Sequence, residues 1–285
     1  MKLKKYSVLT QSSNRLTLTE KKIFNYLLYL KQTQNSTNNI LYTSLKDINI
    51  FLNTKHNNKI ILRALETLQN TEITINILNK DKNIPINTSV IPLKSFSFDK
   101  SSLIIQFEFN NHINHLNGKD NLYSNLDLLE VSKFKSKYSL ILYELINDYK
   151  NVSLPKFEIT MFNQLFTNNY NNFSLIKKKI IEPAIKEISQ KTIFTVNYLL
   201  HKLGRRIKFI QFTFTNISRD KEFLLFKKYM LSTHLNKILK INKTNKIIIS
   251  TNLKLFIWKS LFYNKNKLSF FNKVEFDYYV EQLNI

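Results

Sequence analysis

The stretch "LLHKLGRRIKFIQFTF", residues 199–214, decides how the second half of the chain folds. Apolar and polar residues alternate on both sides of Gly204, which is one of only two glycines among the 285 residues. Such alternation predicts a strand on each side, and glycine supplies the positive φ that a tight turn between strands requires. The stretch therefore predicts a β-hairpin. Four basic residues lie at or beside its tip: Lys202, Arg205, Arg206 and Lys208.

The alternation continues outward from the tip along both predicted strands. Its apolar members are Phe194, Val196, Tyr198, Leu200, Ile210, Phe212 and Phe214. Ile207 and Phe209 are out of phase with Ile210, which predicts a β-bulge or a change of buried face near Phe209.

A basic helix is predicted immediately before this hairpin. In "NNFSLIKKKIIEPAIKEISQKT", residues 171–192, the apolar residues recur at helical spacing. Pro183 lies inside this helix, where it removes a backbone hydrogen bond and predicts a kink or a break. The lysines that we expect to contact a partner are Lys177, Lys178, Lys179 and Lys186.

The charge of the chain indicates a polyanionic partner. The formal net charge is +23, and residues 170–210 hold nine Lys and Arg against two acids. A strongly basic domain is typical of nucleic-acid binding. Residues with AT-rich codons are abundant, so part of the lysine excess is also explained by base composition. The concentration of charge on one helix and one hairpin favours binding to double-stranded DNA.

The first half of the chain repeats the order of helices followed by a hairpin. Thr17 with Glu20, and Ser44 with Asp47, have capping-box spacing at the start of two predicted helices. A third helix is predicted from residue 57 or 58, after which alternation in "TEITINIL" and "SFSFDKSSLIIQFEF" predicts strands, the last including Leu103. This is the order of a winged-helix domain. Lys55, Lys59 and Arg63 lie at the start of the third helix and on the side away from its apolar face.

The complete pattern predicts an α+β fold of two tandem winged-helix domains. Residues 111–130 are predicted to be a connector, and "SKFKSKYSLILYELINDYK", residues 132–150, a long helix that joins the domains and carries Phe134 on its apolar stripe. We expect an N-terminal winged-helix domain at 1–130, a second one at 131–216, and a mainly helical extension of unknown role at 217–285.

Three segments resemble the initiator Rep proteins of theta-replicating bacterial plasmids. They are "SKFKSKYSLILYELI", "KKKIIEPAIKEISQKT" and "VNYLLHKLGRRIKFIQFTF", in that order. The resemblance runs from about Leu16 to Phe214. It implies a protein that binds direct repeats, called iterons, at a replication origin.

The same resemblance implies how such a protein acts. Monomers bind the iterons, help to open an adjacent AT-rich region and recruit the host initiator and replicative helicase, while dimers bind an inverted repeat and repress their own gene. The resemblance implies that the second domain is the main DNA-binding domain and that the first contributes DNA contact and dimerisation. It assigns the DNA contacts of the first domain to Lys55, Asn58, Lys59 and Arg63.

Enzymatic alternatives find little support in the sequence. Cysteine is absent, so thiolate zinc sites and a cysteine nucleophile are excluded. The two glycines, Gly118 and Gly204, are too far apart in the sequence to form a GxxxxGK nucleotide loop. In "HINH", His112 and His115 are separated by two residues, whereas the metal site of a rolling-circle initiator needs one. We expect no catalytic activity, cofactor or metal, no membrane span and a cytoplasmic location.

Two non-enzymatic alternatives remain open. A winged-helix transcriptional regulator would bind one operator without a role in replication. A structural protein whose charge reflects codon bias would bind DNA weakly, without regard to sequence and with steep salt dependence.

Overall fold

The computed structural model describes residues 1–13, 15–34, 39–54, 58–116, 122–170, 172–204 and 206–216. Met1–Asn216 forms one compact unit. Three expectations fall outside the described residues, namely those for Lys55, for Arg205 and for the extension at 217–285.

The first half of the described chain is a mixed domain of helices and short strands. Its elements are β1 (Lys2–Tyr6), α1 (Ser7–Thr10), α2 (Leu18–Thr33), β2 (Ile40–Ser44), α3 (Leu45–Leu52), α4 (Asn58–Asn70), β3 (Ile73–Ile75), β4 (Thr88–Val90), β5 (Leu93–Asp99), β6 (Ile104–Phe109) and α5 (Asn111–His115). Strands β5 and β6 form the predicted hairpin, and β2 pairs with β6 to complete a three-stranded sheet.

The second half repeats this plan. Its elements are β7 (Tyr123–Asp127), α6 (Leu128–Lys133), α7 (Lys137–Asp148), β8 (Lys156–Glu158), α8 (Ile159–Phe166), α9 (Phe173–Ile176), a π-helical segment (Lys177–Ile181), α10 (Glu182–Lys191), β9 (Phe194–Leu203) and β10 (Arg206–Asn216). The sheet order β8-β10-β9 matches the order β2-β6-β5 of the first half. Both halves are therefore winged-helix domains, and the predicted α+β tandem fold is confirmed.

Local sequence signals place the helix starts. Thr17 and Glu20 form the predicted capping box at the start of α2. The Ser44 hydroxyl accepts a hydrogen bond from the backbone N–H of Asp47 at the start of α3, and α4 begins at Asn58 as predicted. These caps satisfy backbone N–H groups that a helix leaves unpaired.

Three expectations about the connections between elements were wrong. Residues 111–130 are not a plain connector, because they contain α5, β7 and the start of α6, and β7 pairs with β1 at the N-terminus. Leu103 is not in a strand; it lies in the turn before β6 with φ of 58° and is exposed. Phe134 is buried, but it lies between α6 and α7, because Ser136 caps α7 and starts that helix at Lys137.

A buried polar network attaches α7 to the first domain. Lys5 donates to Glu144 at 2.8 Å, and Asn25 donates to the other oxygen of the same carboxylate at 2.6 Å. One turn later along α7, the Asp148 carboxylate accepts hydrogen bonds from Ser7 and Gln11. Buried charges require such partners, so α7 has a fixed position relative to β1, α1 and α2.

Candidate nucleic-acid interface

The helix formed by α9, the π-helical segment and α10 has one buried face and one basic face. Its apolar face rests on β9 and α7 and consists of Ile176, Ile180, Ile181, Ala184 and Ile188. Lys178, Lys179 and Lys186 are exposed on the other side. We call this helix, residues 173–191, the recognition helix.

The helix changes its hydrogen-bonding pattern directly before Pro183. The π-helical segment ends at Ile181, and the backbone N–H of Glu182 donates to the carbonyl of Lys177, five residues earlier. Proline has no N–H and clashes with the carbonyl four residues before it in an α-helix. The wider π turn ends directly before Pro183, which then occupies the first turn of α10, where proline is tolerated.

The predicted hairpin is formed by β9 and β10 and is called the wing. Gly204 has φ of 60°, as predicted, and Leu203 pairs with Arg206 across the turn. The register shifts between Ile207 and Phe209, which confirms the predicted bulge. Lys202 and Arg206 are exposed at the tip.

An aromatic cluster fixes the base of the wing. Phe212 is fully buried, and its ring centroid lies 6.3 Å from that of Phe157 on β8 and 6.2 Å from that of Phe162 on α8. The far end of the hairpin has no such packing, since Leu199 is 55% exposed and Leu203 is 74% exposed. The wing therefore extends from a rigid base and presents both cations and leucines to solvent.

Two of the predicted cations are already paired within the protein. Lys177 Nζ lies 3.5 Å from Glu182 Oε1, and Lys208 pairs with Glu158 on β8. The Tyr198 phenol and the Glu182 carboxylate raise the pKa of Lys177. Sequence reasoning did not assign a role to Glu158 or Glu182. The Lys208 pair has no local signal, because its partners are on separate strands.

The recognition helix is also attached to the junction of α6 and α7. The Glu187 carboxylate accepts hydrogen bonds from the backbone N–H groups of Lys135, at 2.6 Å, and Ser136, at 3.2 Å. Burial raises the pKa of Glu187, but hydrogen bonds from the Lys191 ammonium group and the Lys135 backbone N–H help to outweigh it and hold the pKa below its usual range. Lys22 of α2 donates to the Ser132 carbonyl at the same junction. One short connection thus contacts both domains.

The candidate residues of the first domain lie on a separate helix. Asn58, Lys59 and Arg63 are exposed near the start of α4, while the buried face of that helix consists of Ile61, Ala64, Leu65 and Leu68. This arrangement resembles that of the recognition helix, with an apolar face packed inward and cations on the outside.

His112 and His115 of "HINH" lie on the short helix α5. Within the described residues, no group of three His, Asp or Glu side chains is arranged to hold a metal ion. His112 instead contacts the Asn110 side chain at 3.1 Å, as part of the cap of α5. In the described part of the chain, no helix is long and apolar enough to cross a membrane.

Two curated relatives align with this chain over only part of its length or part of their own. The PI protein of Escherichia coli is 28% identical over 166 residues, which are 50% of this chain and 54% of the relative. A putative mitoferrin of Plasmodium falciparum (isolate 3D7) is 28% identical over 254 residues, or 81% of this chain, but only 20% of that relative. The chain thus spans about half the length of the PI protein and about a fifth of the length of the putative mitoferrin.

A solved structure shares the fold. The Pi initiator protein in complex with iteron DNA superimposes with a TM-score of 0.57 at 18% identity, covering 77% of this chain and 98% of that one. The family model described as "Initiator Replication protein, WH1" matches residues 2–147, and the one described as "Initiator Rep protein, WH2" matches residues 158–214. Since the first model alone matches more than half of the chain, this protein belongs to the initiator replication protein family.

Proposed function

We propose that this protein is a plasmid replication initiator that binds double-stranded DNA through the recognition helix and the wing of its second domain. One observation carries the proposal: exposed cations lie on a helix whose other face is buried and apolar, and on the hairpin that follows that helix. We call this set the basic face; it consists of Lys178, Lys179, Lys186, Lys202 and Arg206.

Groove geometry supports this use of the two elements. A helix of ordinary diameter fits the major groove of B-DNA, where side chains on its outer face reach base edges and phosphates. A hairpin that projects beside the helix reaches the neighbouring backbone or the minor groove, where arginine binds well. Arg206 is at the tip of such a hairpin, and the sequence adds Arg205 beside it.

The finer roles extend this proposal. Residues 1–130 contribute a second DNA contact through Asn58, Lys59, Arg63 and Lys55, and also dimerisation; residues 131–216 are the main DNA-binding domain. Monomers bind direct repeats at the origin, open an adjacent AT-rich region and recruit the host initiator and helicase. Dimers bind an inverted repeat and repress the gene that encodes this protein. The solved relative was bound to iteron DNA, which supports direct repeats as the target.

A footprinting experiment tests the proposal directly. Purified full-length protein is incubated with DNA that surrounds its own coding sequence, at physiological salt and with excess competitor. We expect regular protection of direct repeats about two helical turns apart, at roughly 10.5 base pairs per turn. A single protected inverted repeat would identify a transcriptional regulator instead, and protection of no site would refute sequence-specific binding.

A wing variant separates the contribution of the hairpin. Replacing both Arg205 and Arg206 by alanine is expected to lower affinity for the protected DNA about tenfold or more, at roughly 1 to 3 kcal/mol for the lost contacts. Unchanged affinity at moderate salt would rule out the wing as a DNA contact.

A further inference from the structure

One carboxylate interrupts the basic face of the recognition helix. Glu182 is the first residue of α10 and lies between Lys179 and Lys186 along the sequence. Its side chain is 54% exposed and that of its partner Lys177 is 46% exposed. An ion pair this open to solvent contributes little to stability, so folding does not account for the acid at this position.

The π turn explains why this acid is held beside Lys177. In an α-helix, residues five apart point about 140° away from each other around the axis. Here the backbone N–H of Glu182 bonds to the carbonyl of Lys177, so the two residues are one π turn apart and share a face. The ammonium group of Lys177 also contacts the phenol of Tyr198 on β9. The π turn therefore places the Glu182 carboxylate beside Lys177, whose ammonium group also contacts β9.

We propose that Glu182 determines sequence specificity by accepting a hydrogen bond from the amino group of a cytosine in the major groove; this inference rests on the proposed DNA binding. An ionised carboxylate only accepts hydrogen bonds. Cytosine presents an N4 donor in the major groove, whereas guanine presents the O6 and N7 acceptors. An exposed carboxylate on the recognition helix therefore favours cytosine, disfavours guanine and repels the phosphates of any duplex that lacks the correct base.

Selection from a library of random-sequence duplexes tests this inference without knowledge of the natural site. The full-length protein, the variant Glu182→Gln and the control Glu108→Gln each select duplexes, which are then sequenced. Glu108 is a matched control because it pairs with Lys94 at 3.0 Å, on the sheet of the first domain. Its replacement changes the charge equally, away from the recognition helix.

We expect the unmodified protein and Glu108→Gln to select the same motif, with cytosine required at one position. In Glu182→Gln the preference for cytosine at that position falls by about 5- to 150-fold and moves towards adenine, since glutamine pairs with the N6 and N7 atoms of adenine. The rest of the motif is retained.

Each other outcome has a distinct meaning. If the unmodified protein selects no motif, the proposed sequence-specific DNA binding fails. If it selects a motif that Glu182→Gln leaves unchanged, only the role of Glu182 is refuted. If Glu182→Gln binds all duplexes more tightly with the same base preferences, the carboxylate only repels phosphate, and the inference is again overturned.

Discussion

The salt dependence of DNA binding gives the sharpest test of the basic face. The slope of log Kobs against log salt concentration is negative, and each cation that neutralises a phosphate makes it more negative by about 0.9. Lys178 and Lys179 are exposed on the recognition helix and have no ion pair among the described residues. Replacing both by glutamine removes two cations and should leave the apolar face of the helix intact.

The expected change follows from counting these charges. If all five cations of the basic face contact phosphates, they contribute a slope of about −4.5, and the double variant reduces its magnitude by about 1.8. Between 50 and 200 mM salt, the affinity of the unmodified protein then falls about 12-fold further than that of the variant. Fluorescence anisotropy with a labelled duplex measures both slopes.

The control removes the same charge elsewhere. Lys82 and Lys150 are exposed outside the recognition helix and the wing, so replacing both by glutamine is expected to leave the slope almost unchanged. The assignment is refuted if the slope of the Lys178 and Lys179 variant equals that of the unmodified protein. It is also refuted if both double variants reduce the slope equally, because the effect would then reflect overall charge.

Three further predictions concern stability, and chemical denaturation measures each of them. Gly204→Ala should lower the free energy of unfolding by about 1 to 2 kcal/mol. The cause is the positive φ of 60°, because an added Cβ would meet no atom within 4 Å. Gly204→Asn should lower it less, since asparagine tolerates this backbone conformation. Equal costs would contradict a purely conformational effect. Thr17→Ala should lower the free energy of unfolding by about 1 kcal/mol, because it removes the capping box of α2. An unchanged denaturation midpoint would contradict this prediction. Burial lowers the pKa of Lys21 to about 7 from the usual 10.5. Between about pH 7 and 10.5, Lys21 is therefore protonated in the unfolded chain but mostly neutral in the folded protein. The free energy of unfolding consequently rises with pH across that window. Lys21→Met should therefore be more stable than the unmodified protein by a few kcal/mol at pH 7, with a difference that shrinks towards pH 10; a constant difference would contradict the cause.

Much of the fold was predictable because its signals are local. The capping box at Thr17 and Glu20, the positive φ of Gly204 and the bulge before Phe209 each depend on residues within a few positions of one another. Alternating apolar residues likewise predicted the hairpins of both domains. The three motifs that resemble plasmid initiators lie in the same segments.

The pairing of short strands was not predictable in this way. Strand β1 pairs with β7, more than a hundred residues later, and β2 pairs with β6 across α3 and α4. Short polar-rich strands such as "KLKKY" carry little periodicity of their own and become strands only when a partner supplies the hydrogen bonds.

The sequence by itself therefore determined the two winged-helix domains, the recognition helix and the basic wing, because periodicity, caps and a turn glycine act over a few residues. Only the tertiary structure decided which charges remain open to a partner. It paired Lys208 with Glu158, brought Glu182 onto the face of Lys177 through a π turn, and bound Glu187 to the backbone of Lys135, 52 residues away. The first and the last of these contacts join residues that are far apart in the sequence, and the contact of Lys177 with Glu182 depends on a π turn in place of α-helical spacing. Their electrostatics therefore cannot be deduced from spacing along the sequence.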